Sequence, residues 1–226
     1  GNGEVVDVED QWVYGLLKSS DLRSFEIDRA RKKVVVPQHH LGEDTSVLQE
    51  NAPKLWEYLA SHSAYFERRK SSIYRSRPRF SIFGVGDYSF AKYKVAVSGL
   101  YKDPCFSLVL PIDNRPVMLD DTCYFLGFDT YLDALFTASL LNSPTVKRFL
   151  QSIVFVDAKR PYTKEVLMRI DLNQATSQLS FHTLRAFWAD IGYKPGVPVV
   201  EADFEEYKQR LPLIGKRPSL QLTLGL

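Results

Sequence analysis

At 226 residues, 45% hydrophobic and 13% aromatic, the chain has enough apolar mass to bury a core as one large or two small domains, which excludes disorder as its main state. No run reaches the roughly 20 apolar residues that cross a bilayer, and no charged region followed by an apolar stretch opens the chain, so a soluble, cytoplasmic protein with no membrane partner is expected. The total charge is only +2, so any polyanion partner has to be met by a local concentration of cations rather than by the whole surface.

The opening Gly1-Asn2-Gly3 enters Val5-Val6 without an initiator Met, which predicts a piece excised from a longer chain. Residues 4–36 alternate acidic turns with apolar patches at Trp12 to Leu17 and Val34 to Val36, separated by the basic run Arg29 to Lys33. Two short strands joined by a loop fit this pattern. Asn51-Ala52-Pro53 should open a helix, with Asn as cap and Pro in the first turn. Leu55, Trp56, Leu59, Ala60 and Phe66 form its apolar face, and it runs out into Arg68-Arg69-Lys70, where cations suit the helix dipole.

After Pro78 the period shortens. Phe80 to Val85, Tyr93 to Ser98, Cys105 to Pro111 and Cys123 to Phe128 are β-prone runs divided by Gly, Pro, Asp and Asn. Gly84-Val85-Gly86-Asp87-Tyr88 lacks the third glycine and the following helix of a dinucleotide fingerprint, and reads as a tight turn between strands. Helices return at Thr130 to Leu141, at Ser143 to Ser152 with Ser143 as cap, and along Phe181, Leu184, Phe187, Trp188 and Ile191 up to Gly192. Glu201 to Leu211 repeats the pattern with Phe204, Tyr207 and Leu211 on one face, before an apolar tail. The fold class is α+β, small mostly antiparallel sheets flanked by helices.

The chemistry concentrates between Tyr65 and Lys102, where nine Lys/Arg face two acids, Glu67 and Asp87, for a local net of +7. The rest of the chain is therefore net negative. Arg68, Arg69, Lys70, Ser71, Ser72, Tyr74, Arg75, Arg77 and Arg79 lie in a connection after a helix, where recognition residues gather. Arg can hold phosphate or the guanine edge with two parallel bonds, and Ser hydroxyls add smaller phosphate contacts. Tyr88, Lys92, Lys94 and Lys102 extend the candidate double-stranded DNA surface, and the interleaved aromatic rings should divide between core and contact. A solvated basic face, or one that docks on an acidic protein, is the bland alternative.

An enzymatic alternative uses Asp120 or Asp121 with Asp157 and Lys159, an acid followed by D-x-K, to hold Mg²⁺ for phosphodiester cleavage. Carboxylates beside turns more often cap backbone N–H groups. Cys105 and Cys123 form no C-x-x-C pair, and His39, His40, His62 and His182 form no H-E-x-x-H, so buried free thiols are expected rather than a zinc site, with His39 and His40 as loop residues next to Pro37.

Several phrases in order carry a resemblance: Leu16-Leu17-Lys18-Ser19-Ser20-Asp21-Leu22, Leu55-Trp56-Glu57-Tyr58-Leu59 running to Arg68-Arg69, Phe90-Ala91-Lys92-Tyr93-Lys94-Val95, Asp121-Thr122-Cys123-Tyr124-Phe125 and Leu140-Leu141-Asn142-Ser143. This series, over about residues 12–172, resembles the C-terminal specificity domain of TaqI-like and Eco57I-like DNA adenine-N6 methyltransferases of restriction-modification systems. The resemblance implies a target-recognition domain, taken as 1–172; it does not account for the tail from Asn173 onward, which is expected as a helical extension over 173–226 packed on that domain. It also implies an upstream methyltransferase domain of the same parent, which binds S-adenosylmethionine and carries N-P-P-Y. Neither that motif nor a glycine-rich cofactor loop occurs here, so no cofactor and no methyl transfer are expected of this piece alone.

Overall fold

The structure, a computed structural model, describes residues 4–155 and 157–214, with side chains as far as Leu211. The chain is α+β, with two small mixed sheets flanked by helices. Strands β1 (Val13–Leu17), β2 (Glu26–Ile27) and β3 (Lys32–Val35) come first, followed by helices α1 (Leu48–Asn51), α2 (Pro53–Ser61) and α3 (Ser63–Glu67). Strands β4 (Tyr93–Ser98), β5 (Ser107–Val109), β6 (Met118–Leu119) and β7 (Cys123–Phe128) follow. Helices α4 (Tyr131–Leu141), α5 (Pro144–Ile153), α6 (Lys164–Leu167), α7 (Leu172–Ser177), α8 (Phe181–Asp190) and α9 (Glu201–Ile214) complete the order.

One sheet runs β3-β1-β6 and the other β2-β5-β4-β7. The expected antiparallel pairing holds for β1 with β3 and for β4 with β5 and β7, but β1–β6 and β2–β5 are parallel. Parallel neighbours need a long crossover, and each of these pairs is separated by most of the first half of the chain. The two sheets meet where β6 turns into β7: the Ser19 hydroxyl donates to the Thr122 hydroxyl at 2.6 Å, and Asp120 Oδ1 accepts from the Thr122 N–H at 3.1 Å.

Both faces of the second sheet are buried. Val95 and Val97 of β4 join a large core with α4, α5, α7, α8 and α9, while Ala96 faces a smaller cluster with Leu17, Leu22, Val109 and Phe125. Helix α4 is buried from Ala134 to Leu141 and is the axis of the large core, as expected of a helix that is apolar all round. Phe136, fully buried, contacts the rings of Trp188, Phe204 and Tyr207. Two hydrogen bonds anchor this helical layer: Trp188 Nε1 donates to the Ser139 hydroxyl at 2.8 Å, and Thr137 meets the Tyr207 hydroxyl at 2.9 Å. A separate cluster of Trp12, Leu48, Ala52, Leu55, Leu59 and Phe80 supports α1 to α3.

Helix α2 starts at Pro53, but Asn51 is not its cap; it ends α1, and Ala52 holds the cap position. The free N–H groups of Lys54 and Leu55 instead donate to the Glu9 carboxylate, both at 2.9 Å. A cap supplied from 45 residues away welds the N-terminal segment to this helix. Glu9→Ala should therefore cost about 1 kcal/mol, read as a shift of the urea midpoint at unchanged slope.

Phe80 to Val85 is not a strand. The buried Gln38 amide takes the place of a neighbouring strand: its Nε2 donates to the Ile82 carbonyl at 3.1 Å and its Oε1 accepts from the Ile82 N–H at 3.0 Å. Asn142 does the same for Phe106, at 2.7 and 3.2 Å. Gly84 has φ of 77°, but the turn it makes leads into a 3-10 turn at Asp87–Phe90 rather than into a strand. Ile191, counted on the apolar face of α8, is exposed just past its end. The short α6 and α7, unanticipated, are capped by Thr163 and Asp171. Residues of 173–211 share the large core with β4, β5 and β7; the apolar tail from 215 lies outside the described residues. Among the described residues no helix is long and apolar enough to cross a membrane.

Candidate nucleic-acid interface

The basic connection between α3 and Phe80 is a braced element. Arg69 lies between two rings, its guanidinium carbon 4.3 Å from the Phe66 centroid and 4.4 Å from that of Tyr74, and it donates to the Ser81 carbonyl. Burial pulls its pKa below the usual arginine range, and nearby Tyr74 opposes the shift. Ser72–Tyr74 forms a 3-10 turn, with Tyr74 N–H donating to Ser71 O at 3.3 Å, Arg75 N–H to Ser72 O at 3.2 Å and Arg77 N–H to Tyr74 O at 3.2 Å. Arg69, expected as a contact, is thus engaged in holding this turn.

Around that brace Arg68, Lys70, Ser71, Ser72, Arg75 and Arg77 are exposed. Among the described residues, none of Arg68, Lys70, Arg75 and Arg77 forms an ion pair. Arg79 is exposed too, but pairs with Glu67 at 3.4 Å and lies over Phe80. Cations left unneutralised on one short turn repel each other, and an anion bridging them relieves that repulsion. Beside the turn Tyr65 is 68% exposed, its ring nearly parallel to that of His62.

The second half of the candidate set is less coherent. Lys92 is exposed at the start of β4 with its ammonium 5.5 Å from the Tyr93 ring, and Lys102 is exposed beyond the other end, 4.0 Å from Asp157. At ~3.3 Å per strand residue, β4 alone keeps them about 20 Å apart. Tyr88 is half-buried against the Phe125 cluster. Lys94 is not a surface group: it is 1% exposed, and its Nζ donates to the Ala91 carbonyl at 2.8 Å. Gly127, opposite Lys94 on β7, explains the close cover, because a Cβ there would stand 2.6 Å from that of Ala91. Burial pulls the Lys94 ammonium down to about 7.

Further exposed cations lie outside the Tyr65 to Lys102 stretch. Arg29, Lys32 and Lys33 are exposed on and before β3, an edge strand. The basic run itself was the available signal; without knowing that β3 is an edge, it read only as a connection.

Two carboxylates of the Mg²⁺ nuclease alternative have other partners. Asp120 is spent on its own turn, accepting from the Thr122 N–H and hydroxyl, with Lys18 at 3.9 Å. Asp157 stands exposed and pairs with Lys102. Among the described residues no three His, Cys, Asp or Glu side chains group closely enough to hold a metal ion. Cys105 and Cys123 are free thiols; Cys123 is buried and pushed up to about 12 by burial and by Asp120.

No family model matches the chain. It is 42% identical over 172 residues to the Type II methyltransferase M.NspV of Nostoc sp., an alignment covering 76% of this chain and 36% of that protein. The chain thus spans about a third of the length of this relative, and is related to a Type II methyltransferase.

Proposed function

We propose that this chain is the DNA-recognition part of a larger adenine-N6 methyltransferase of a restriction-modification system. Residues 1–172 grip double-stranded DNA, and the helices between 173 and 214 pack on them. An upstream domain of the same parent binds S-adenosylmethionine, flips the base and transfers the methyl group. The observation that carries this reading is the braced, exposed turn with unneutralised Arg68, Lys70, Arg75 and Arg77, in a chain related to a Type II methyltransferase. Phosphate contacts of this kind set position and affinity, and base edges supply sequence.

The lining of one candidate cavity does not fit the cofactor. An apolar cavity of about 310 Å³ lies between β4, β7 and α7, but among the described residues Asp171 is the one charged group of its lining, and that carboxylate already caps α7. No step of the reaction is therefore assigned to it.

Duplex binding by the 1–226 chain across a salt series tests the reading. Replacing Arg75, Arg77 and Arg79 together by Ala should weaken binding on every sequence, and the log–log salt slope should flatten by about 0.9 for each phosphate no longer neutralised. An unaltered slope removes these residues from the interface. No binding at low salt favours a protein-docking role for the basic face.

A further inference from the structure

The tip of the basic turn carries a side chain that charge alone does not explain. Ile73 is 40% exposed, and among the described residues it joins none of the apolar clusters. A 3-10 turn has three residues per revolution, so Ser72, Ile73 and Tyr74 point in three directions about 120° apart. Tyr74 points inward, onto the Arg69 guanidinium. Its inward direction fixes Ile73 away from the brace, about 120° from the exposed Ser72 and Arg75, which share one side of the turn. A branched aliphatic group 40% exposed on a braced turn with unneutralised arginines beside it in the chain has the form of a wedge: the cations draw in the phosphate backbone, and the apolar group enters the stack between base pairs.

We infer that Ile73 is an intercalating wedge that unstacks one base step and bends the duplex on which the turn docks. This rests on the DNA-recognition reading above and adds to it a residue that acts on stacking rather than on charge. Pyrimidine–purine steps, which unstack most easily, are the sites it should prefer. Tyr74 and Arg69 are positioning residues in this arrangement, because they hold the turn without facing the partner.

The test uses a duplex of about 30 base pairs carrying several such steps, short enough to be straight when free, with a fluorophore at each end. Binding of the 1–226 chain should shorten the end-to-end distance. Ile73→Ala should abolish most of the shortening and weaken binding about tenfold, the worth of one buried aliphatic side chain, while the salt slope and the melting midpoint stay those of the parent chain. Ile73→Leu should restore the bend. A bend unchanged in Ile73→Ala overturns the wedge while leaving the recognition reading intact. Absence of duplex binding by the unsubstituted 1–226 chain overturns both.

Discussion

Phe136→Ala is expected to remove about 3–5 kcal/mol of stability, a large share of what a domain has to lose. The side chain is fully buried on the central helix and touches Trp188, Phe204 and Tyr207, which belong to the two long C-terminal helices. Truncation leaves a void bounded by rings that are themselves fixed, Trp188 by its bond to Ser139 and Tyr207 by its bond to Thr137, so relaxation is limited. Because strands β4, β5 and β7 share that core with the helices after residue 172, urea should shift one common transition, seen alike by tryptophan fluorescence and by circular dichroism. Two transitions, with only one moved by the substitution, would mean that the C-terminal helices unfold as a unit of their own.

Lys94→Met should stabilise the protein at neutral pH by about 2 kcal/mol, the relief of a buried ammonium less the cost of leaving the Ala91 carbonyl without its donor. The folded-state pKa of about 7 lies below the ordinary lysine value of 10.5. The unfolded chain therefore binds more protons between these limits, and the parent's stability rises with pH through that window, by at most about 1.4 kcal/mol per unit. Below about pH 7 both states carry the charge and the full penalty applies. The advantage of the variant in unfolding free energy, followed from pH 6 to 10.5, should fall as pH rises and reverse before the upper limit; a constant difference would place Lys94 in contact with solvent. The same variant separates burial from contact. Its salt slope for DNA should equal the parent's, since a side chain 1% exposed neutralises no phosphate.

Local patterns were the legible part of the sequence. Strands β4 and β7, the Pro- and Ser-marked start of α5, the extent of α4 to within a residue and the glycine stop after α8 follow from period, caps and breakers within a few residues of one another. Phe80 to Val85 misled because its composition suits a strand, but the partner that would have made it one is a single amide from Gln38. The cap of α2 was misplaced for a similar reason: its acceptor comes from Glu9. At the site, the charge cluster and its position after a helix were readable. The separate fates of its members were not. Arg69 and Arg75 look alike in sequence, and only the spacing of Phe66 and Tyr74 in three dimensions turns the first inward. Lys94 sits in a strand whose two faces are both covered, a condition that alternation along one strand does not reveal.

The apolar mass is divided unequally, and the basic turn stands on the lesser share. Its support is the cluster of Trp12, Leu48, Leu55, Leu59 and Phe80, separate from the large core around α4. Substitutions beneath the turn are felt first by that small cluster. A lineage can thus revise the turn, its brace and its footing in successive steps while the greater body keeps its packing, so drift in sequence should run faster over residues 48–80 than over β4, β7 and α4.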